Sequence, residues 1–142
     1  MLDPSFEQSV GAGSDLVREL AQGLPTVLEL LREHEDDFDE VLPTVFLSEI
    51  AQWYAETWLA RETDPGTFDE ASRFAARVAV RYPEVSPSER NMFAVGFLEA
   101  LPNPGEAGRG CLEALPDILR VEREAMDSPN NGPGIGDGGT GL

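Results

Sequence analysis

The chain has 142 residues, 27 of them acidic and 10 basic, for a net charge of −17 with 41% hydrophobic residues. That length suits one domain able to build its own core, and the single cysteine, Cys111, excludes an intramolecular disulfide framework and a cysteine-based zinc site. So strong a negative field opposes binding to nucleic acid or to an anionic membrane surface and favours basic partners.

All ten basic residues are arginine. No stretch approaches the roughly 20 apolar residues of a membrane span. The start, MLDPSFEQSV, has neither the basic region nor the apolar run of a signal peptide. The expectation is a cytoplasmic protein.

Residues 1–13 contain Pro4, Gly11 and Gly13 without a periodic pattern and are expected to form a flexible N-terminus. Ser14 and Asp15 can cap a short helix to about Gln22. Gly23 and Pro25 punctuate the chain, and Val27, Leu28 and Leu31 recur at helical spacing to about Asp37. The segment EHEDDFDE should then end that helix, because carboxylates oppose the negative end of its dipole.

Pro43 opens what reads as the longest helix, to about Glu62. Phe46, Leu47, Ile50, Ala51, Trp53, Tyr54 and Trp58 share one broad face, expected to be the centre of the core. Thr44, Ser48, Gln52 and Glu56 form a polar stripe opposite, with Glu49 beside it. After the turn at Asp64-Pro65-Gly66, Thr67 and Glu70 spell a capping box for a helix to about Tyr82. Its Arg73, Arg77 and Arg81 line a face expected to be solvated, with Arg73 in reach of Asp69.

Ser86, Pro87 and Glu89 are a second capping signature. The helix they start is apolar nearly all round, so it should be sandwiched between neighbours. Gly96 inside it implies close contact with another backbone, since glycine costs a helix about 1 kcal/mol against alanine. Glu99, at its end, reads as a buried acid needing a partner. Pro102, Pro104 and Gly105 break the chain before a last helical region over about 106–126, divided at Pro116, with Leu112, Leu115, Ile118, Leu119 and Val121 facing inward. Residues 128–142 form a Gly/Pro-rich tail expected to be disordered. The fold expected is therefore all-α, a single compact domain of about six helices over residues 14–127.

Chemistry-bearing patterns are few. Gly134-Ile135-Gly136-Asp137-Gly138-Gly139 matches a dinucleotide fingerprint in letters, but it lacks the strand before it and the helix after it. His34 is the only histidine, and Phe38 stands where an HExxH site needs its second histidine. Leu31 stands where a Glu-x-x-His pair needs its acid. The expectation is a partly exposed His34 among acidic neighbours, with no catalytic residue, no metal site and no cofactor. The cluster Glu33, Glu35, Asp36, Asp37, Asp39 and Glu40 lacks the turn glycine and closing glutamate of an EF-hand. It is instead the best candidate for contacting a basic partner.

Two segments carry a family resemblance, Asp39-Glu40-Val41-Leu42-Pro43-Thr44-Val45-Phe46 and Asn91-Met92-Phe93-Ala94-Val95-Gly96-Phe97-Leu98-Glu99. Across most of residues 24–125 the chain resembles a family of small, acidic, helical bacterial proteins with no agreed activity. A histidine often stands in that family at the position of Thr44, and a serine at that of Gly96, so no polar role carries over to either. Proteins of this sort also resemble the immunity partners of bacterial toxins.

The function expected is a non-enzymatic acidic protein-binding module, immunity- or antitoxin-like, whose partner is a basic bacterial protein. Its contact residues would be Glu35, Asp36, Asp37, Asp39, Glu40, Gln52 and Glu56. A ligand-binding or enzymatic domain built on the aromatic set Trp53, Tyr54, Trp58, Phe74, Phe93 and Phe97, and a structural or oligomerisation domain, are the alternatives.

Overall fold

Prolines set the starts of the helices. In a computed structural model, which describes residues 4–127, five α-helices begin on one: α1 (Pro4–Ala21), α2 (Pro25–Phe38), α3 (Pro43–Leu59), α4 (Pro65–Arg81) and α5 (Pro87–Phe93). Proline suits that position because its missing N–H would have no intrahelical partner. The chain leaves α5 through a π-helical turn, Ala94–Leu98, and a 3-10 segment, Arg109–Ala114, before α6 (Asp117–Asp127). The protein is an all-α single domain, with no strand among the described residues.

α3 is the hub, although it is not the longest helix as expected: it has 17 residues, like α4, and α1 has 18. α3 packs against α1, α2, α4, α5, the π turn and the 3-10 segment. Phe46, Leu47, Ile50, Ala51 and Tyr54 are buried along it. Trp53 and Trp58, expected in the centre, are only half-buried. Trp58 instead lies against Gly110, where a Cβ would run into the ring, and the Arg61 guanidinium carbon sits 3.9 Å from the Trp58 ring centroid. Tyr54 packs edge to face on Phe97 at 6.2 Å, and Phe74 is tilted against Phe97 at 6.3 Å, between centroids. These rings fill the core.

Gly96 explains the π turn's position. A Cβ there would stand 2.8 Å from the Thr44 carbonyl oxygen and 3.0 Å from Leu47 Cβ. The π turn thus crosses the first turn of α3 at backbone contact, the close approach that a glycine in an apolar helix implies.

Several local expectations are corrected. α1 starts at Pro4, so Ser14 lies inside the helix and not at its N-cap. α3 stops at Leu59, short of Glu62. The cap of α4 is Asp64, whose carboxylate accepts from the Thr67 N–H at 3.2 Å and hydroxyl at 2.6 Å. Glu70 does not close a box on Thr67. Its Oε2 accepts from Thr26 N–H at 2.6 Å and Val27 N–H at 3.1 Å, serving the first turn of α2, whose N-cap Leu24 has no side-chain acceptor to offer. Those N–H groups lie beyond the reach of the α2 ladder itself.

The arginine face is not simply solvated. Arg77 donates to the Leu20 carbonyl at 2.9 Å and to the Gln22 carbonyl, and Arg81 pairs with Glu19. Arg73 pairs with Asp69 at 3.0 Å, as expected. The last carbonyls of α1 have no helical partner, and a cation there also meets the negative end of the dipole. Of the apolar set in the last region, Leu112, Leu115 and Leu119 are buried, but Ile118 and Val121 are exposed. Glu99 is exposed too. The buried charge nearby is Arg123, which holds the Leu101 and Pro102 carbonyls and Asn103.

Candidate functional site

The corner between α2 and α3 is built on His34. It is 1% exposed, not partly exposed as its acidic neighbours imply. The ring lies 4.8 Å from Phe38 and 5.5 Å from Phe46, centroid to centroid. Its Nε2 accepts the Leu42 N–H at 2.9 Å. That bond fixes the tautomer: Nε2 carries the lone pair, so Nδ1 carries the proton and donates to Glu49 Oε1 at 3.2 Å. A histidine with a carboxylate on Nδ1 is the arrangement of a general base. Here the basic nitrogen is already occupied by a backbone donor, and the pair serves to close the corner.

Around that corner the acidic residues take two roles. Glu35 turns toward α1 and binds Arg18 at 2.5 Å, and this hydrogen bond from the guanidinium holds its carboxyl below the ordinary value. Asp36, Asp37, Asp39 and Glu40 are exposed, and none of the four forms an ion pair among the described residues. Asp39 ends α2 in the left-handed region, φ 61°, with its N–H bonded to the Glu35 carbonyl at 2.7 Å. Aspartate tolerates that region better than most residues. Val41, immediately beyond, is buried and anchors the segment.

Gln52 and Glu56 are exposed on the stripe of α3 where expected, but they do not join the acidic corner. Thirteen residues separate Pro43 from Glu56, which at 1.5 Å per residue is about 20 Å along the helix. They border a groove of about 520 Å³ between the second half of α3 and the loop after the π turn. Ala55, Leu59, Ala100, Pro102 and Ala107 give it an apolar floor. Gln52, Glu56 and Glu106 complete the lining, and no basic side chain contributes. The Asn103 N–H donates to Glu106 at 2.7 Å, tying that carboxylate to its own loop. Sequence reading missed this wall because Ala100–Ala107 has no periodicity to place it. The mismatched signal is Leu59, a large apolar side chain left 54% exposed at the end of α3.

Other reactive groups are engaged or buried. Cys111 is buried, and desolvation pushes its thiol up to about 11, far from a thiolate nucleophile. Tyr54 donates to the Cys111 carbonyl at 3.2 Å, and burial raises its hydroxyl well above the ordinary value. Among the described residues no three His, Cys, Asp or Glu side chains converge to hold a metal ion. No helix among them is long and apolar enough to cross a membrane. The glycine run at 134–139 and the tail from 128 lie outside the described residues. The chain matches no family model, and comparison with known proteins and with solved structures finds no match either.

Proposed function

We propose that this chain is a non-enzymatic, cytoplasmic protein-binding module whose partner is a basic protein, in the way an immunity or antitoxin protein meets a basic bacterial toxin. The observation that carries the reading is the set of four exposed carboxylates, Asp36, Asp37, Asp39 and Glu40, held at the C-terminal end of α2. Carboxylates there face the negative end of the helix dipole and one another, so they weaken the helix that bears them. Lysine or arginine side chains of a partner would relieve that repulsion. Complementary fields of this kind accelerate association and select partners.

The non-enzymatic part of the reading is supported by the occupied Nε2 of His34 and the buried, high-pKa thiol of Cys111. The test is co-purification of the tagged full chain from its native cell, followed by binding kinetics with the captured protein at low and high salt. The expected result is a basic partner whose association rate falls steeply with salt. The same rate should fall about tenfold or more when Asp36, Asp37, Asp39 and Glu40 become Asn or Gln, within the range that electrostatic steering supplies. A partner with no excess of basic residues, bound with no dependence on salt, would sink the proposal.

A further inference from the structure

We infer that the groove between α3 and the Ala100–Ala107 loop is where the basic partner inserts a short segment carrying an arginine flanked by leucine-sized side chains. This rests on the acidic-module reading and adds a place and a chemistry to it. Charge alone does not single the groove out, since most of the surface is acidic. The pairing of chemistries does.

The floor of Ala55, Leu59, Ala100, Pro102 and Ala107 offers small and apolar side chains, with Leu59 54% exposed and therefore short of partners. Glu56 and Glu106 belong to its lining, which holds no basic side chain, while Arg109 and Arg123 donate to the Pro102 carbonyl. A volume of about 520 Å³ falls within the roughly 300–1,000 Å³ usual for clefts that hold a ligand. An arginine stem can lie along apolar surface while its head stays with carboxylates in water. The planar guanidinium also offers five donors in a fixed fork, which an ammonium does not. A polar basic segment would leave the floor uncovered. An apolar segment without arginine would leave the Glu56 carboxylate unmatched. The acidic corner at the other end of α3 also exposes apolar side chains, Phe38 at 42% and Val45 at 39%, and is the competing place that the titration separates from the groove.

The experiment is a titration of isotope-labelled full chain, followed by backbone amide shifts at low salt, with three blocked tripeptides: Leu-Arg-Leu, Ser-Arg-Ser and Leu-Gln-Leu. Leu-Arg-Leu should move the amides of Ala55, Leu59 and Ala107. It should bind about tenfold tighter than Ser-Arg-Ser, as part burial of two leucine side chains implies, and tighter than Leu-Gln-Leu, which has no guanidinium to offer the carboxylates. The double variant Glu56→Gln/Glu106→Gln, both at exposed positions, should abolish the preference over Leu-Gln-Leu while the far-ultraviolet spectrum is unchanged.

Equal binding of Leu-Arg-Leu and Ser-Arg-Ser, with shifts at Asp36–Glu40 instead of the groove, would overturn this inference and leave the acidic-module reading standing. Retention of the preference over Leu-Gln-Leu in the double variant would overturn it as well. Failure of both arginine peptides to bind anywhere would count against the acidic-module reading itself.

Discussion

Replacing Glu70 by alanine removes one carboxylate oxygen that accepts two backbone N–H groups of another helix, Thr26 at 2.6 Å and Val27 at 3.1 Å. Val27 is buried and Thr26 half-buried, so water replaces the lost acceptor poorly. A hydrogen bond to a charged group contributes roughly 1.5–3 kcal/mol in isolation. Two bonds share a single oxygen here, so the sum is not doubled, and the carboxylate's position at the positive end of α2 adds a few tenths to about 1 kcal/mol. The expected loss is about 2–3 kcal/mol. With a urea slope of about 1–3 kcal/mol per molar, the unfolding midpoint should fall by roughly 1 M.

Equilibrium urea unfolding followed by Trp53 and Trp58 fluorescence measures this, and amide hydrogen exchange localises it. Thr26 and Val27 should exchange faster in the variant than their neighbours later in α2. Glu70→Gln keeps an acceptor but loses the charge, and should fall between the two. If Glu70 acted instead as a local cap for α4, the loss would be nearer 1 kcal/mol and exchange would quicken at the start of α4. A Glu70→Ala unfolding free energy within about 0.5 kcal/mol of the parent, with α2 exchange unaltered, would refute the reasoning.

Three further outcomes are expected. Gly96→Ala should destabilise by about 1–3 kcal/mol in the same assay, because overpacking against the Thr44 carbonyl outweighs the roughly 1 kcal/mol that alanine gains in a helix; a stabilised variant would contradict the close crossing. His34→Leu keeps apolar volume but orphans the Leu42 N–H, and should cost about 1–3 kcal/mol with faster exchange at that amide. The hydrogen bond and charge of Arg18 hold the Glu35 carboxyl below its ordinary value of 4.5. Its contribution is therefore complete above that value and lost as pH falls through the lower folded-state value, and Glu35→Gln should flatten the stability profile in that acidic window. The effect is small, because the pair is solvent-screened, and high salt should shrink it.

What was legible in the sequence is what local physics decides. Pro25, Pro43 and Pro87 mark helix starts because the ring acts on its own backbone, whereas Pro65, read as part of a turn, opens a helix as well. The Ser86–Glu89 capping box is present as written, since its partners are three residues apart. Gly96 signalled its crossing through composition alone. Roles that need a distant partner were not legible. His34 reads as a surface residue beside Glu35 and Asp36, but Leu42 and Glu49 reach it from 8 and 15 positions away. Glu70 fits a local motif by spacing, and the N–H groups that claim it are 43 and 44 positions distant. The arginines of α4 look like a solvated stripe until the end of α1 is placed against them. At the candidate site, the acidic corner was visible as a charge run. The groove was not, because its second wall is an aperiodic loop.

Glu70 and Arg77 lie seven residues apart, two turns along α4, and reach opposite poles of the α1–α2 turn. The acid takes the amide end of α2, and the guanidinium takes the carbonyl end of α1. Docking this helical hairpin the other way round would set the carboxylate against carbonyl oxygens and the guanidinium against N–H groups, a mismatch at both ends. Two side chains thus encode the direction in which the hairpin may lie, independently of how well its apolar faces fit. Exchanging them for one another would penalise the native arrangement at both poles while leaving the composition and net charge of the chain unchanged.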